Sequence, residues 1–374
     1  MLRSLVPLFT LLFPLSLFAA GRDVSTVRYA PSDSVVGIPS VAFNGNHFLT
    51  LWPMASHIYG ALAGPSSSTM PPAFLVLPFA SASASALRVT AAGGGYLAIW
   101  NQENMPYLGT LTSEGVLERS VRLDAGKLTA PRMAFNGKTT LVVDRTGNFI
   151  PPATIGASLY GLGGQLMTRF TLPVSGGDSY DVTDAGGDFA VVTGGRSGIN
   201  EWRVANDGTI LSTLQIEPPP ANPVLTRYDV AVGSKSGLIV IAWLHSQLGT
   251  LSSAVIQANG SVTRAALPNG GVPPISGLSV LPVGIGFVVV WNVWPTPPDS
   301  RAVFALRIDQ GGALLDDRPA RLGDGTFLAA ASSANAIEIA LTTPTVAPAT
   351  LIATVDASGI SPRAATPTAV TPVR

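Results

Sequence analysis

Arg88, Arg132, Asp181 and Asp229 recur at near-regular intervals, and both aspartates directly follow a tyrosine, Tyr180 and Tyr228. Each of the four stands just before a copy of one short motif. Residues at the same place in successive copies of a repeat come to equivalent places in the fold, so these side chains should converge on one face. Two guanidinium forks there could hold an anionic or hydroxyl-rich ligand, with the tyrosines offering flat faces. The plainer reading is an ion pair between Arg132 and Asp181 of neighbouring repeats, worth little if exposed. Asp181 and Asp229 could also act as acid and base for glycoside cleavage. That use needs a raised pKa on one of them, and Arg88 and Arg132 would lower it.

Segments leaving the motif should rise to the same face and add Asn101, Glu103, Arg145, Arg196, His245, Asn292 and Trp294. Arg196 is a further cation there, and Trp294, beside Pro295, is the best candidate for stacking on a ligand. Other chemistries find little support. With three His and no Cys, a zinc or thiol site is not expected. Asp178, Asp181, Asp184 and Asp188 are close in sequence, but they should spread over a loop, a strand and the opposite turn, which argues against Ca²⁺. Gly233-Ser234-Lys235-Ser236-Gly237 has Lys where a nucleophile elbow needs Ser. Gly161-Leu162-Gly163-Gly164 lacks the third glycine of a dinucleotide loop and reads as a hairpin end. No metal and no cofactor is expected.

The elements that must position these residues are strands. The motif is clearest at Val41–Trp52 (VAFNGNHFLTLW), and copies end at residues 52, 100, 144, 193, 243, 291 and 341. Asn44-Gly45 between two apolar runs predicts a type I′ hairpin, with positive φ at both turn residues. The second strand of each copy, such as Val288-Val289-Val290-Trp291, is apolar throughout, so both of its faces must be covered. Two further strand candidates follow each motif, joined by turns such as Ser113-Glu114-Gly115 and Asn206-Asp207-Gly208. Seven units of four antiparallel strands, at a period of about 48 residues, predict an all-β, seven-bladed β-propeller of four-stranded antiparallel blades. The Trp closing the motif then reads as packing between blades.

The repeats resemble a loose class of secreted bacterial β-propeller repeat proteins whose blades open P-x-V-A-F/W-N/D-G-x-x-F/Y-L-V/A-x-W. Pro39 through Trp52 matches best; Leu87 through Trp100 and Pro131 through Asp144 match with gaps. The resemblance implies a fold and no activity.

Composition agrees: 47% apolar, 12% charged, 39 Gly and 31 Pro, with zero formal net charge. The charge balance gives no reason to expect nucleic acid or an anionic membrane as partner. Residues 1–21 read as a secretory signal peptide: Arg3, an apolar core from Leu5 to Phe18, and Ala19-Ala20-Gly21 before Arg22. No later stretch is long enough to span a bilayer. Without Cys the chain carries no lipid-anchored Cys and no disulfide. Residues 22–374 should form a single propeller, with 361–374 a frayed tail. Val24–Ala30 reads as the strand that closes the last blade, in preference to a strand from Ile360–Arg374. The expectation is thus a monomeric, non-enzymatic binding propeller, secreted or periplasmic, that recognises a protein or glycan. The alternatives are a polysaccharide hydrolase or lyase using the same funnel, and a cell-surface scaffold with no discrete ligand.

Overall fold

A computed structural model describes residues 27–28, 38–54, 57–67, 73–78, 85–146, 154–174, 177–222, 227–245, 248–269, 274–293, 301–342 and 348–362. They form seven antiparallel sheets, six running in chain order and the seventh joined by the N-terminal strand Val27–Arg28, with no helix among the described residues. Blades 1 to 6 occupy residues 40–78, 85–122, 132–172, 177–217, 228–267 and 274–324. Blade 7 has residues 326–356 and the terminal strands. The first strand of each blade touches the first strands of both neighbours, and blade 7 returns to blade 1. The sheets therefore close into a ring with the motif's first strands around the axis.

Burial follows from that ring. Seven apolar clusters occupy the seven gaps between neighbouring blades, the one formed by Val41, Phe48, Trp52, Ala336, Ala340 and Ile352 sealing blade 7 against blade 1. In blade 6 every residue of the second strand, Gly286–Val293, is buried, because a neighbouring sheet covers each face. Trp52, Trp100, Trp243 and Trp291 each fill the gap towards the preceding blade. Three of them stack on the residue opposite in the third strand: Trp52 on Tyr59, Trp100 on Tyr107 and Trp291 on Phe304. The outermost strands alternate, as in Leu166–Leu172, and bear charges such as Arg169 that discourage pairing with another sheet.

Both ends of the chain close the ring, where the sequence favoured the N-terminal strand alone. Val27–Arg28 pairs with Thr350 and Ala349, while Gly359–Pro362 pairs with Asp356 back to Ala353. The two short strands thus share one edge of Pro348–Asp356. The last strand runs to Pro362 and so takes in Ser361 and Pro362 of the stretch expected as a tail; Pro362 cannot donate a ladder hydrogen bond. Residues 1–21, expected as a signal peptide, and residues 363–374 lie outside the described residues.

The motif turn also differs from expectation. Gly45 has φ +103°, but Asn44 is not among the residues with positive φ. The loop spans residues 44–47 between the paired Phe43 and Phe48. The Asn44 side chain instead accepts hydrogen bonds from the N–H groups of Asn46 and His47, at 3.0 and 2.9 Å. Asparagine can satisfy a turn through its side chain as readily as through its backbone, and here it does the first. Two-residue turns with both φ positive occur at Gly93-Gly94 and Ser236-Gly237. The latter belongs to the stretch that failed as a nucleophile elbow.

Candidate functional site

The inner strand of each blade presents an open edge to the central channel, and an unpaired edge must be satisfied by something other than a ladder. Here the side chains of the neighbouring blade do it. The Val89 N–H donates to Ser40 Oγ at 2.9 Å, the Val230 N–H to Ser179 Oγ at 3.1 Å, and the Val232 N–H to Asp181 Oδ2 at 3.0 Å. Asp229 accepts from the Gly277 N–H and, at 3.2 Å, from the Ser179 hydroxyl. Ser40, Asp181 and Asp229, directly before the motif, are therefore blade-to-blade caps first. At the corresponding place in blade 6 a side chain is excluded. Gly277 has φ +66°, and a Cβ there would meet Asn292 Nδ2 at 2.6 Å.

The sequence expected four of these positions to meet, and they share one end of the channel. Arg132 Nε lies 3.7 Å from Asp181 Oδ1, with side chains 38% and 23% exposed. This is a loose contact, and the Arg132 Nη1 also donates to the Pro131 carbonyl at 3.4 Å. Arg88 is half-buried, and its Nη1 donates to the Leu87 carbonyl at 2.6 Å. Crowding by the channel wall and by the charge of Arg132 brings its pKa down to about 10. Burial also pushes Asp181 upward against the pull of Arg132, and Asp229 upward against Ser179 and Arg132. The sequence argument had the arginines lowering these carboxylates. Loss of bulk water in the channel outweighs them.

Around Arg132 lies a cavity of about 420 Å³ lined by Arg145, Ser179, Tyr180, Tyr228 and Asp229 among others, spanning blades 3 to 5. Its two tyrosines are 6% and 5% exposed, so they form wall more than open face. The Tyr180 hydroxyl donates to the Ala130 carbonyl at 2.8 Å and accepts from the Arg145 N–H at 3.0 Å. Burial, with Asp144 nearby, raises its pKa to about 12. Tyr228 is raised to about 12 by burial and by Glu217, and its ring meets His245 edge-on. Arg196 lies on an exposed turn of blade 4 and does not line this cavity. Trp294 lies outside the described residues.

Asn101 and Asn292, expected in rim loops, are instead 1% and 2% exposed within strands. Each grips the backbone of the next blade's approach. Asn101 accepts from the Leu128 N–H at 3.1 Å and donates to its carbonyl at 2.7 Å. Asn292 accepts from the Phe327 N–H at 2.6 Å and donates to its carbonyl at 3.3 Å. Asp144 does similar work, accepting from the N–H groups of Thr129 and Ala130, both at 2.8 Å. Sequence reasoning missed these ties. The signal was a polar residue at the end of an apolar strand, which is tolerated only with a partner. Asp184, in the supposed acidic cluster, caps the far turn through Gly186 and Gly187.

No protein-family model matches this sequence, and no curated protein does. Solved structures do match in shape. A prolyl endopeptidase structure superposes with TM-score 0.56 at 11% identity, over 91% of this chain and 49% of that one. A protein from Lactobacillus plantarum gives TM-score 0.51 at 13% identity, covering 79% and 89%. The CNH domain of AfRom2 gives 0.50 at 11%, covering 89% and 99%. They share a fold. This chain spans about half the length of the prolyl endopeptidase chain, and at such identities the likeness extends to architecture alone.

Proposed function

We propose that this chain is an exported, non-enzymatic binding propeller of the secreted bacterial kind, which takes a protein or glycan ligand at the channel mouth across blades 3 to 5. One observation carries the reading. The 420 Å³ cavity holds an incompletely engaged guanidinium, Arg132, between rigid walls. A fork held only by a 3.7 Å contact with Asp181 and a 3.4 Å bond to the Pro131 carbonyl, beside fixed Ser179, Tyr180 and Tyr228, is organised before any ligand arrives, which limits the ordering cost of binding. Export rests on residues 1–21, and a monomer acting outside the cytoplasm is part of the same proposal. No helix among the described residues is long and apolar enough to cross a membrane.

A hydrolase or lyase in the same funnel has one point in its favour, the upward shift of Asp181 and Asp229. Against it, both carboxylates already accept main-chain hydrogen bonds, which compete with proton transfer to a substrate. The test is a thermal-shift screen against glycan and peptide panels, since a ligand of the folded form raises the melting point. Ligands found this way should lose their effect on Arg132→Ala. Arg132→Ala protein that responds unchanged would refute the mouth as the site. Turnover of a bound glycan that disappears in Asp181→Ala or Asp229→Ala would replace the binding reading with the enzymatic one.

A further inference from the structure

The mouth cavity does not end at its own wall. Thr129 and Arg145 line it on one side and, on the other, line a larger cavity of about 570 Å³. This second cavity occupies the gap between blades 2 and 3. One wall is the connection carrying Lys127, and the other is the face of blade 3 with Ser158, Tyr160 and Arg169. Lys127 and Arg169 are exposed, and neither joins an ion pair among the described residues. Arg169 also hydrogen-bonds the Tyr160 hydroxyl, which fixes the direction of its fork. The carboxylates of the joined cavities are turned inward. Asp144 is bound to the Thr129 and Ala130 N–H groups, and Asp229 to Ser179 and Gly277. Arg132 keeps Asp181 as a loose partner and Asp124 lies near Tyr160, while Lys127 and Arg169 face the space outside any ion pair among the described residues.

We infer that the two cavities form one cleft for an acidic polysaccharide, with one carboxylate-bearing sugar over Arg132 at the mouth and another over Lys127 and Arg169 between blades 2 and 3. This rests on the mouth being the binding site and names the class of its ligand. A planar fork suits carboxylates, and exposed Thr129 supplies a hydroxyl for those of the sugar. A peptide fits less well. Addition of a strand needs an open edge, yet the inner-strand N–H groups of Val89, Val230 and Val232 are already capped. A protein partner's anchor would seek an open aromatic pocket, yet Tyr180 and Tyr228 are closed into the wall.

The experiment is calorimetric titration of the purified protein with oligogalacturonates of increasing length, at low and high salt, beside polyglutamate and neutral dextran. Affinity should rise with length until both cavities are spanned and should fall with salt. Dextran and polyglutamate should not compete. Lys127→Ala with Arg169→Ala should weaken the long oligomers by roughly tenfold or more while sparing the shortest, and Arg132→Ala should weaken both. Both flank residues are exposed, so an unchanged melting point will show that the double variant is folded. If that variant binds long oligomers like the wild type while Arg132→Ala does not, the extended cleft is refuted and the mouth stands. If binding ignores all three cations, both readings fall. Tighter binding of polyglutamate than of oligogalacturonate would overturn the sugar in favour of a peptide. Failure to bind either probe would overturn this inference alone, because the thermal-shift screen tests the mouth with other ligands.

Discussion

Glu338 sits in the second strand of blade 7, fully buried against blade 1, where Thr50 Oγ1 donates to its Oε1. Its Oε2 has no hydrogen-bond partner, and Tyr96 is the other titratable group that senses its charge. Burial, opposed only by the Thr50 hydrogen bond, raises its pKa from 4.5 to about 8. The folded protein therefore holds a proton here that the unfolded chain releases above about pH 4.5. Its contribution to stability is full below that pH and is lost as pH rises to about 8. At 1.36 kcal/mol per pKa unit, the loss between pH 5 and pH 9 comes to roughly 3–5 kcal/mol. Glu338→Gln keeps the shape and an oxygen for Thr50 but cannot ionise. Urea denaturation followed by tryptophan fluorescence at pH 5, 7 and 9 reads the difference directly, since other titrating groups cancel between the two proteins. The variant's advantage should grow by that amount from pH 5 to pH 9. A difference that stays constant with pH would refute a neutral glutamic acid at the ring's closing seam.

The second buried carboxyl, Glu201 of blade 4, is raised by burial to about 7 against the pull of Arg203. Glu201→Gln should gain roughly 2–4 kcal/mol on wild type between pH 4 and pH 7 and nothing further above it, in the same denaturation series. Asn292→Ala strands the N–H and carbonyl of Phe327 in the core and should cost roughly 2–4 kcal/mol in urea midpoint terms. Replacement of Trp291, fully buried against blade 5, by Ala should cost roughly 3–5 kcal/mol by the same assay. Ending the chain at residue 358 removes the strand Gly359–Pro362 and should lower the melting point, with hydrogen exchange rising first in residues 353–356.

Most of the architecture was legible because it rests on features that one strand displays by itself. An apolar run with no polar face, as in Val288–Trp291, states that sheets cover it twice, and its recurrence counts the blades. The closing tryptophans announced their packing for the same reason. Less legible were features that depend on two blades at once. Asn101 and Asn292 satisfy backbone on the approach to the following blade, and Asp144 satisfies the approach to its own. Nothing in a single repeat says which segment that will be. Glu338 lies in an otherwise apolar strand and meets Thr50 across 288 residues of chain. The closing strand read at Val24–Ala30 pairs at Val27–Arg28, but its sharing of that edge with Gly359–Pro362 escaped prediction, because four residues are too few to mark a strand by pattern.

The mouth residues join these two kinds of feature. A propeller's innermost strands cannot pair with one another across the channel, so each leaves N–H groups that must find acceptors. Serines and aspartates before the motif supply them, as Ser40, Ser179, Asp181 and Asp229 do. An acceptor recruited for that purpose is pinned in place and shielded from bulk water, which lifts the aspartate pKa values and softens their charge. Arginines have no acceptor to offer a bare N–H, so an arginine at such a position is not used up in the same way. Arg132 illustrates it, touching Asp181 only at 3.7 Å. The capping that closes the ring thus consumes the anionic side chains and leaves the cationic ones facing the channel. A propeller of zero net charge thereby places Arg88 and Arg132 at one end of its channel, and the proposed anionic ligand depends on that local excess of cations.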